Sequence, residues 1–159
     1  MNVDYINPFV TSTISVFETM LGCKIQRSGL RTKDRREAEH EISGIIGLSG
    51  RVVGTVVVSL SAETAIGAAE AMLGERPSEI DDDVLDVVGE LANMVAGGAK
   101  TQLEQYELNI SLPNVITGVG HIINFPSKVP LICIDFDCPW GPLCVEVGFT
   151  EQLAAVATA

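Results

Sequence analysis

The chain has 159 residues, 47% of them hydrophobic and 19% charged, with a formal net charge of −11. That length fits one domain with a substantial core, and the composition excludes a disordered chain. The acidic balance argues against a nucleic-acid or anionic-membrane partner, and no apolar run is long enough to span a bilayer.

The opening "MNVDYINPFV" has neither a basic region nor a signal-peptide core, so the chain reads as cytoplasmic. Phe9, Val10, Ile14, Phe17 and Leu21 recur at helical spacing and predict a helix over about 4–21, ended by Gly22. Pro8 is tolerated only near a helix start, so Asp4 or Asn7 is the expected cap. From Lys24 to Glu41 the chain carries six of its ten Lys and Arg: Lys24, Arg27, Arg31, Lys33, Arg35 and Arg36. Either a docking patch for an acidic partner or a solvated edge strand and loop suits this segment. We favour the edge strand.

"ISGIIGLSGRVVGTVVVSLS" places two β-branched runs around Ser49-Gly50 and predicts a hairpin with strands near 42–48 and 51–60. Ser61 then caps a short Ala-rich helix that Gly74 stops. After the polar "ERPSEIDDD", a long helix is predicted over about 78–106, its acidic start matched to the helix dipole. Its apolar stripe is Ile80, Val84, Val87, Leu91, Met94, Val95 and Leu103. The opposite stripe is Asp83, Asp86, Glu90, Asn93, Gly97, Lys100 and Glu104. The remainder is strand-like: "NISLPNVITG", "HIINFP", "VPLICIDFD" and "PLCVEVGF", with "CPWG" as the last turn and 151–159 as a fraying tail.

"VVGTVVVSLS" faintly resembles "PWGPLCVEVG", and each half opens with a long helix followed by strands. This predicts a single α+β domain over 1–159 built from two pseudo-symmetric halves, about 1–75 and 78–150. Cys23, Cys133, Cys138 and Cys144 lack the paired spacing of zinc sites and read as reduced core thiols, with no metal. His40 and His121 stand apart in sequence, and neither reads as a ligand.

The row on the long helix carries the chemistry. Glu90 and Asn93 are three apart and share a face with Gly97 one turn further on. A carboxylate can pair with a lysine, and an amide donates and accepts, so it can orient a water. A bare glycine lets a second surface approach. Such a row suits hydrolysis by positioning. A solvated helix face also carries Glu and Asn by chance, and close helix packing also explains a glycine pair. Gly97-Gly98 costs a helix interior about 1–2 kcal/mol relative to alanine, so it asks for a reason.

Three segments in this order, "NPFVTSTISVFETMLG", "SGIIGLSGRVVGTVVVSLSAETA" and "GELANMVAGGAK", resemble the CheC/CheX/FliY family of chemotaxis phosphatases, nearest to the CheX type. The resemblance implies an antiparallel sheet with two long helices packed on one face. It implies hydrolysis of the aspartyl phosphate of a phosphorylated CheY-like response regulator. Glu90 and Asn93 match the E-x-x-N motif; the first long helix has none, which implies one active face per chain. By the same resemblance, Glu90 pairs with the regulator's active-site lysine and Asn93 aligns the attacking water, with Gly97, Asp86 and Lys100 as docking residues. No cofactor of its own is implied, Mg²⁺ being held by the regulator. The resemblance also implies a homodimer through the sheet, and long apolar strands such as "VPLICIDF" that need an edge partner place the pairing in the C-terminal half. The alternative is a non-catalytic module that binds a receiver domain or signalling protein with the same helix face.

Overall fold

In the computed structural model, residues 3–125 and 130–151 are described. Most of the predicted tail, the end of "HIINFP" and the first residue of "VPLICIDFD" fall outside them. The hairpin forms as expected from β2 (Ile42–Ser49) and β3 (Val52–Leu60), turning through Gly50, whose φ of +125° suits glycine. Strand β1 (Gln26–Lys33) precedes it. The second half supplies β4 (Asn109–Ile110), β5 (Asn114–Thr117), β6 (Leu131–Asp137) and β7 (Leu143–Glu151). "HIINFP" forms no strand among its described residues, only a bridge from Ile122 to Glu37.

All strand pairs are antiparallel, in the order β1-β6-β7-β3-β2-β4, with β5 also on β2. The order is palindromic if β1 is matched with β4 and β5, β2 with β6, and β3 with β7. Each half lays its first strand against the other half's hairpin, so the two halves share one sheet. The glycines of the two resembling segments are not equivalent in detail. Gly54 lies within β3, whereas Gly141 precedes β7 at a φ of +147°. The apolar strand β6 lies between β1 and β7. The open edges are β1 and the β4–β5 side.

Three helices cover one face: α1 (Val3–Leu21), α2 (Ala62–Leu73) and α3 (Asp82–Thr101). Helix α1 begins before Pro8, so Asp4 and Asn7 lie inside it rather than capping it. Ser61 caps α2 by accepting from the Thr64 N–H at 3.2 Å, and Gly74 closes it in the left-handed region. Helix α3 starts at the Asp81 cap, later than predicted, because Asp81 and not Ser78 accepts from the Val84 N–H, at 3.0 Å. It ends at Thr101, and the expected last turn continues as a 3₁₀ turn over Glu104–Tyr106. Between helices and sheet lie Phe9, Phe17, Ile46, Val56, Leu91 and Ile134, all within 1% of full burial. Such close-packed aliphatic and aromatic contacts are the main source of stability. Among the described residues no helix is long and apolar enough to cross a membrane.

Candidate active site

Helix α3 is held from both sides of its length. Val84, Val88, Leu91, Val95 and Ala99 are fully buried beneath it. Gly44 of β2 lets the helix settle on the sheet, since a Cβ there would stand 2.8 Å from Ala92. Ser12 of α1 donates its hydroxyl to the Val95 carbonyl at 2.7 Å. A side chain on α3 that points away from this bed therefore has a fixed origin.

The five predicted site residues fall on that outward row. Asp86, Glu90 and Lys100 are exposed; Asn93 and Gly97 are half-buried. Asn93 is thus less open than expected, which limits its rotamers and suits an orienting role. Neither the Glu90 nor the Asn93 side chain makes a hydrogen bond or ion pair with any other described residue. A carboxylate and an amide one turn apart are left facing outward with their hydrogen-bonding capacity unspent.

The adjacent glycines divide the two explanations given above. A Cβ at Gly98 would lie 2.2 Å from Ser12 Oγ, so Gly98 is the close-packing glycine of the α1–α3 contact. A Cβ at Gly97 would meet no atom within 4 Å. Nothing among the described residues requires glycine there, and the bare backbone opens outward beside Asn93. Sequence spacing did not single out Ser12; its contact with Gly98 spans the two halves.

The opposite face of the sheet holds a second polar cluster. Lys33 and Glu146, both buried, form a short ion pair, and Lys33 also meets Glu39 at 3.5 Å. Arg31 bridges Glu39 and Asp135, each at 3.1 Å. The basic segment is therefore partly neutralised within the chain, in keeping with an edge strand. Burial pushes the Glu146 carboxyl up, and Lys33 opposes it. Burial would also push Glu39 up, but Arg31 and Lys33 overcome it and hold its carboxyl below its ordinary value. His121 and His40 reach this face too: His121 Nε2 lies 2.7 Å from Ser43 Oγ, and the His40 N–H donates to Ser59 Oγ.

Cys133, Cys144 and Glu146 bring potential metal-ligating atoms within 4.8 Å of one another on that face. The Lys33 ammonium already engages Glu146, so a divalent cation would have to sit beside a buried positive charge. Contact with Cys133 and then burial push the Cys144 thiol up, away from the thiolate a metal needs. The donor set fits an internal ammonium better than a metal ion.

Residues 42–137, well over half of the chain, match the family described as chemotaxis phosphatase CheX. The CheY-P phosphatase CheX of Thermotoga maritima is 29% identical over 81% of this chain and 90% of its own length. A CheC-like superfamily protein from Shewanella sp. PV-4 superposes with a TM-score of 0.87 at 35% identity, covering 95% of this chain and all of the other. The CheX of Borrelia burgdorferi, in its complex with CheY, BeF3 and Mg²⁺, gives a TM-score of 0.80 at 27% identity, covering 94% of this chain and 100% of its own. With its antiparallel sheet, its helix-covered face and these matches, the chain belongs to the chemotaxis phosphatase CheX family.

Proposed function

We propose that this chain is a phosphatase that hydrolyses the aspartyl phosphate of a CheY-like response regulator, with Glu90 and Asn93 of α3 as its working pair. One observation carries the assignment: both side chains face outward on a rigidly seated helix, unengaged by the rest of the described chain. The complex of the Borrelia CheX with CheY, BeF3 and Mg²⁺ supplies the kind of partner.

An aspartyl phosphate is an activated acyl phosphate. Water attacks phosphorus, the bond to the aspartyl oxygen breaks, and the carboxylate leaves while inorganic phosphate takes up the water's oxygen. No nucleophile from this chain is required. Mg²⁺ held by the regulator would stabilise charge on the phosphoryl oxygens. What remains is to place a water in line and to hold the regulator's surface. The Asn93 amide, donor and acceptor at once, would orient that water. The Glu90 carboxylate would pair with the regulator's lysine ammonium, fixing the docking register. Gly97 would leave room for the regulator's backbone, with Asp86 and Lys100 flanking it.

Phosphate release from a phosphorylated CheY-like receiver, with and without this protein, tests the proposal. Release that rises in proportion to added protein supports it. A receiver that binds with unchanged phosphate release would make the chain a non-catalytic binding module.

A homodimer belongs to the same proposal. Strand β6, the apolar strand expected to seek an edge partner, has partners on both sides. Among the C-terminal strands β4 and β5 have open edges, and Leu112, Ile116, Val119 and Ile122 are exposed around β5. A second copy adding along β5 would cover them. Light scattering that gives a monomer at micromolar concentration counts against this dimer.

A further inference from the structure

Away from α3 the molecule has a cavity of about 730 Å³, lined by Lys24, Ile25, Gln26, Asp137, Cys138 and Pro139. It lies where β1 and β6 leave the sheet together, since Gln26 and Asp137 are the terminal partners of that ladder. Two thiols meet there. Cys23 Sγ and Cys138 Sγ are 3.9 Å apart, although 115 residues separate them in sequence. Each is placed by local structure. Cys23 follows the left-handed Gly22, and its N–H donates to the Phe17 carbonyl at 3.0 Å, closing α1. Cys138 opens the turn that ends with the Gly141 N–H on the Cys138 carbonyl at 3.2 Å. Cys23 is buried, and Cys138 is partly open on the cavity wall.

We propose that Cys138 and Cys23 form a thiol–disulfide exchange site, which takes a small-molecule disulfide of the glutathione type and converts it into a reversible intramolecular disulfide. The Cys138 thiolate attacks one sulfur of the incoming disulfide. The S–S bond breaks, one small thiolate leaves, and a mixed disulfide stands on Cys138. Cys23 then loses its proton to solvent and attacks Cys138 Sγ, and the second small thiolate departs. Two protein thiols are oxidised, and one disulfide is reduced to two thiols. The order follows from access and acidity. Burial, and then the neighbouring Cys138, push the Cys23 thiol up to about 11, so Cys23 is slow against a free reagent. It is fast only once Cys138 presents a sulfur at contact distance. The two sulfurs need approach by less than about 2 Å to reach bonding distance. The product ties the end of α1 to the β6–β7 turn.

The other two cysteines serve as an internal control. Cys133 and Cys144 are buried on the far face of the sheet, beside Glu146. The full chain is incubated with oxidised glutathione, and thiols are then read by intact mass and by alkylation after unfolding. Wild type is expected to lose two hydrogens, with Cys23 and Cys138 protected and Cys133 and Cys144 free. Its melting temperature should rise on the order of 10 °C, because the cross-link closes a long loop, and dithiothreitol should reverse the rise. Cys23→Ser should arrest at the intermediate, with one glutathione held on Cys138; Cys23→Ala does the same job if serine disturbs the end of α1. Cys138→Ser should take up none. Oxidation of Cys133 with Cys144 instead, disulfides between copies, or no adduct on either Cys23 variant would overturn the assignment.

Discussion

Helices α1 and α3 are near twins in length, at 19 and 20 residues, and each opens one half of the palindromic strand order. They pack on each other through Ser12 and Gly98. Helix α1 even presents an acid and an amide at the motif's spacing, Asp4 and Asn7, both exposed. The differences are small and local. Asp4 is one methylene shorter than glutamate, and it already has an interaction within the chain. One turn beyond Asn7 stands Thr11, a β-branched side chain, where α3 has the open Gly97. The palindromic scaffold thus supplies two similar outward rows, and on the proposal above a handful of side chains decides which one acts. Scaffold and site are separable, because the buried side of a helix sets its seat while the outward row is free to vary.

The sharpest way to break the contrast is at the proposed pair. Asn93→Ala should lower phosphate release about 10²-fold while the phosphorylated receiver still binds, as expected for lost water alignment. Glu90→Ala should lower release comparably and also weaken binding, leaving what remains less dependent on salt. Thermal melts should move little for Glu90→Ala, an exposed truncation worth about 0.5 kcal/mol. Wild-type release from Asn93→Ala would remove the amide from the mechanism. Full activity in both variants would return the row to a solvated face.

The glycine pair comes next. Gly98→Leu should destabilise the protein by about 1–3 kcal/mol through overpacking against Ser12. Gly97→Ala should do the reverse, stabilising by about 1 kcal/mol through helix propensity alone. Gly97→Leu should fold and yet fail to dock the receiver. Chemical denaturation of the three variants, with receiver binding measured beside it, reads both signs. Equal destabilisation at the two positions would mean that both glycines serve packing.

A third effect arises on the sheet face that neither helix touches. Burial lowers His40 from its ordinary 6.5, against the opposing pull of Glu39, Asp135 and Glu41, and with a smaller push in the same direction from Lys33. The fold therefore holds His40 neutral more readily than the unfolded chain does. That contribution is complete above pH 6.5 and is lost as pH falls from 6.5 through the depressed value. The melting temperature should decline in this window, and His40→Gln should flatten the decline. A decline of unchanged steepness in His40→Gln would assign it to other groups.

The smallest expected effect is at the twin row. Asp4→Ala and Asn7→Ala should leave phosphate release within twofold or so of wild type, given the Thr11 side chain beside them. A loss comparable to that of Asn93→Ala would mean that α1 carries a second working face.

Much of the fold could be read along the chain, for local reasons. The period of apolar residues marked α1 and α3, the Ser61 and Gly74 pair bounded α2, and β-branched runs around Ser49-Gly50 marked the central hairpin. The outward row of α3 was equally legible, because helical spacing alone puts Glu90, Asn93 and Gly97 on one side. The start of α3 was misjudged because several acidic and hydroxyl residues precede it, and only geometry shows which one reaches the Val84 N–H.

What tertiary structure alone decided lies in contacts between distant residues. The apolar run of β6 looked like an edge seeking a partner, yet it sits inside the sheet because β1 returns from the other half to cover it. Lys33 looked like one more solvated cation, but Glu146, 113 residues away on β7 and two strands over in the sheet, pairs with it. Gly97 and Gly98 are indistinguishable in sequence, and only the position of Ser12 gives them opposite surroundings. Periodicity, caps and turns follow from bonds and sterics within a few residues. Strand order, buried ion pairs and the use of a bare glycine follow from which distant surfaces the chain brings together, and no local pattern encodes that.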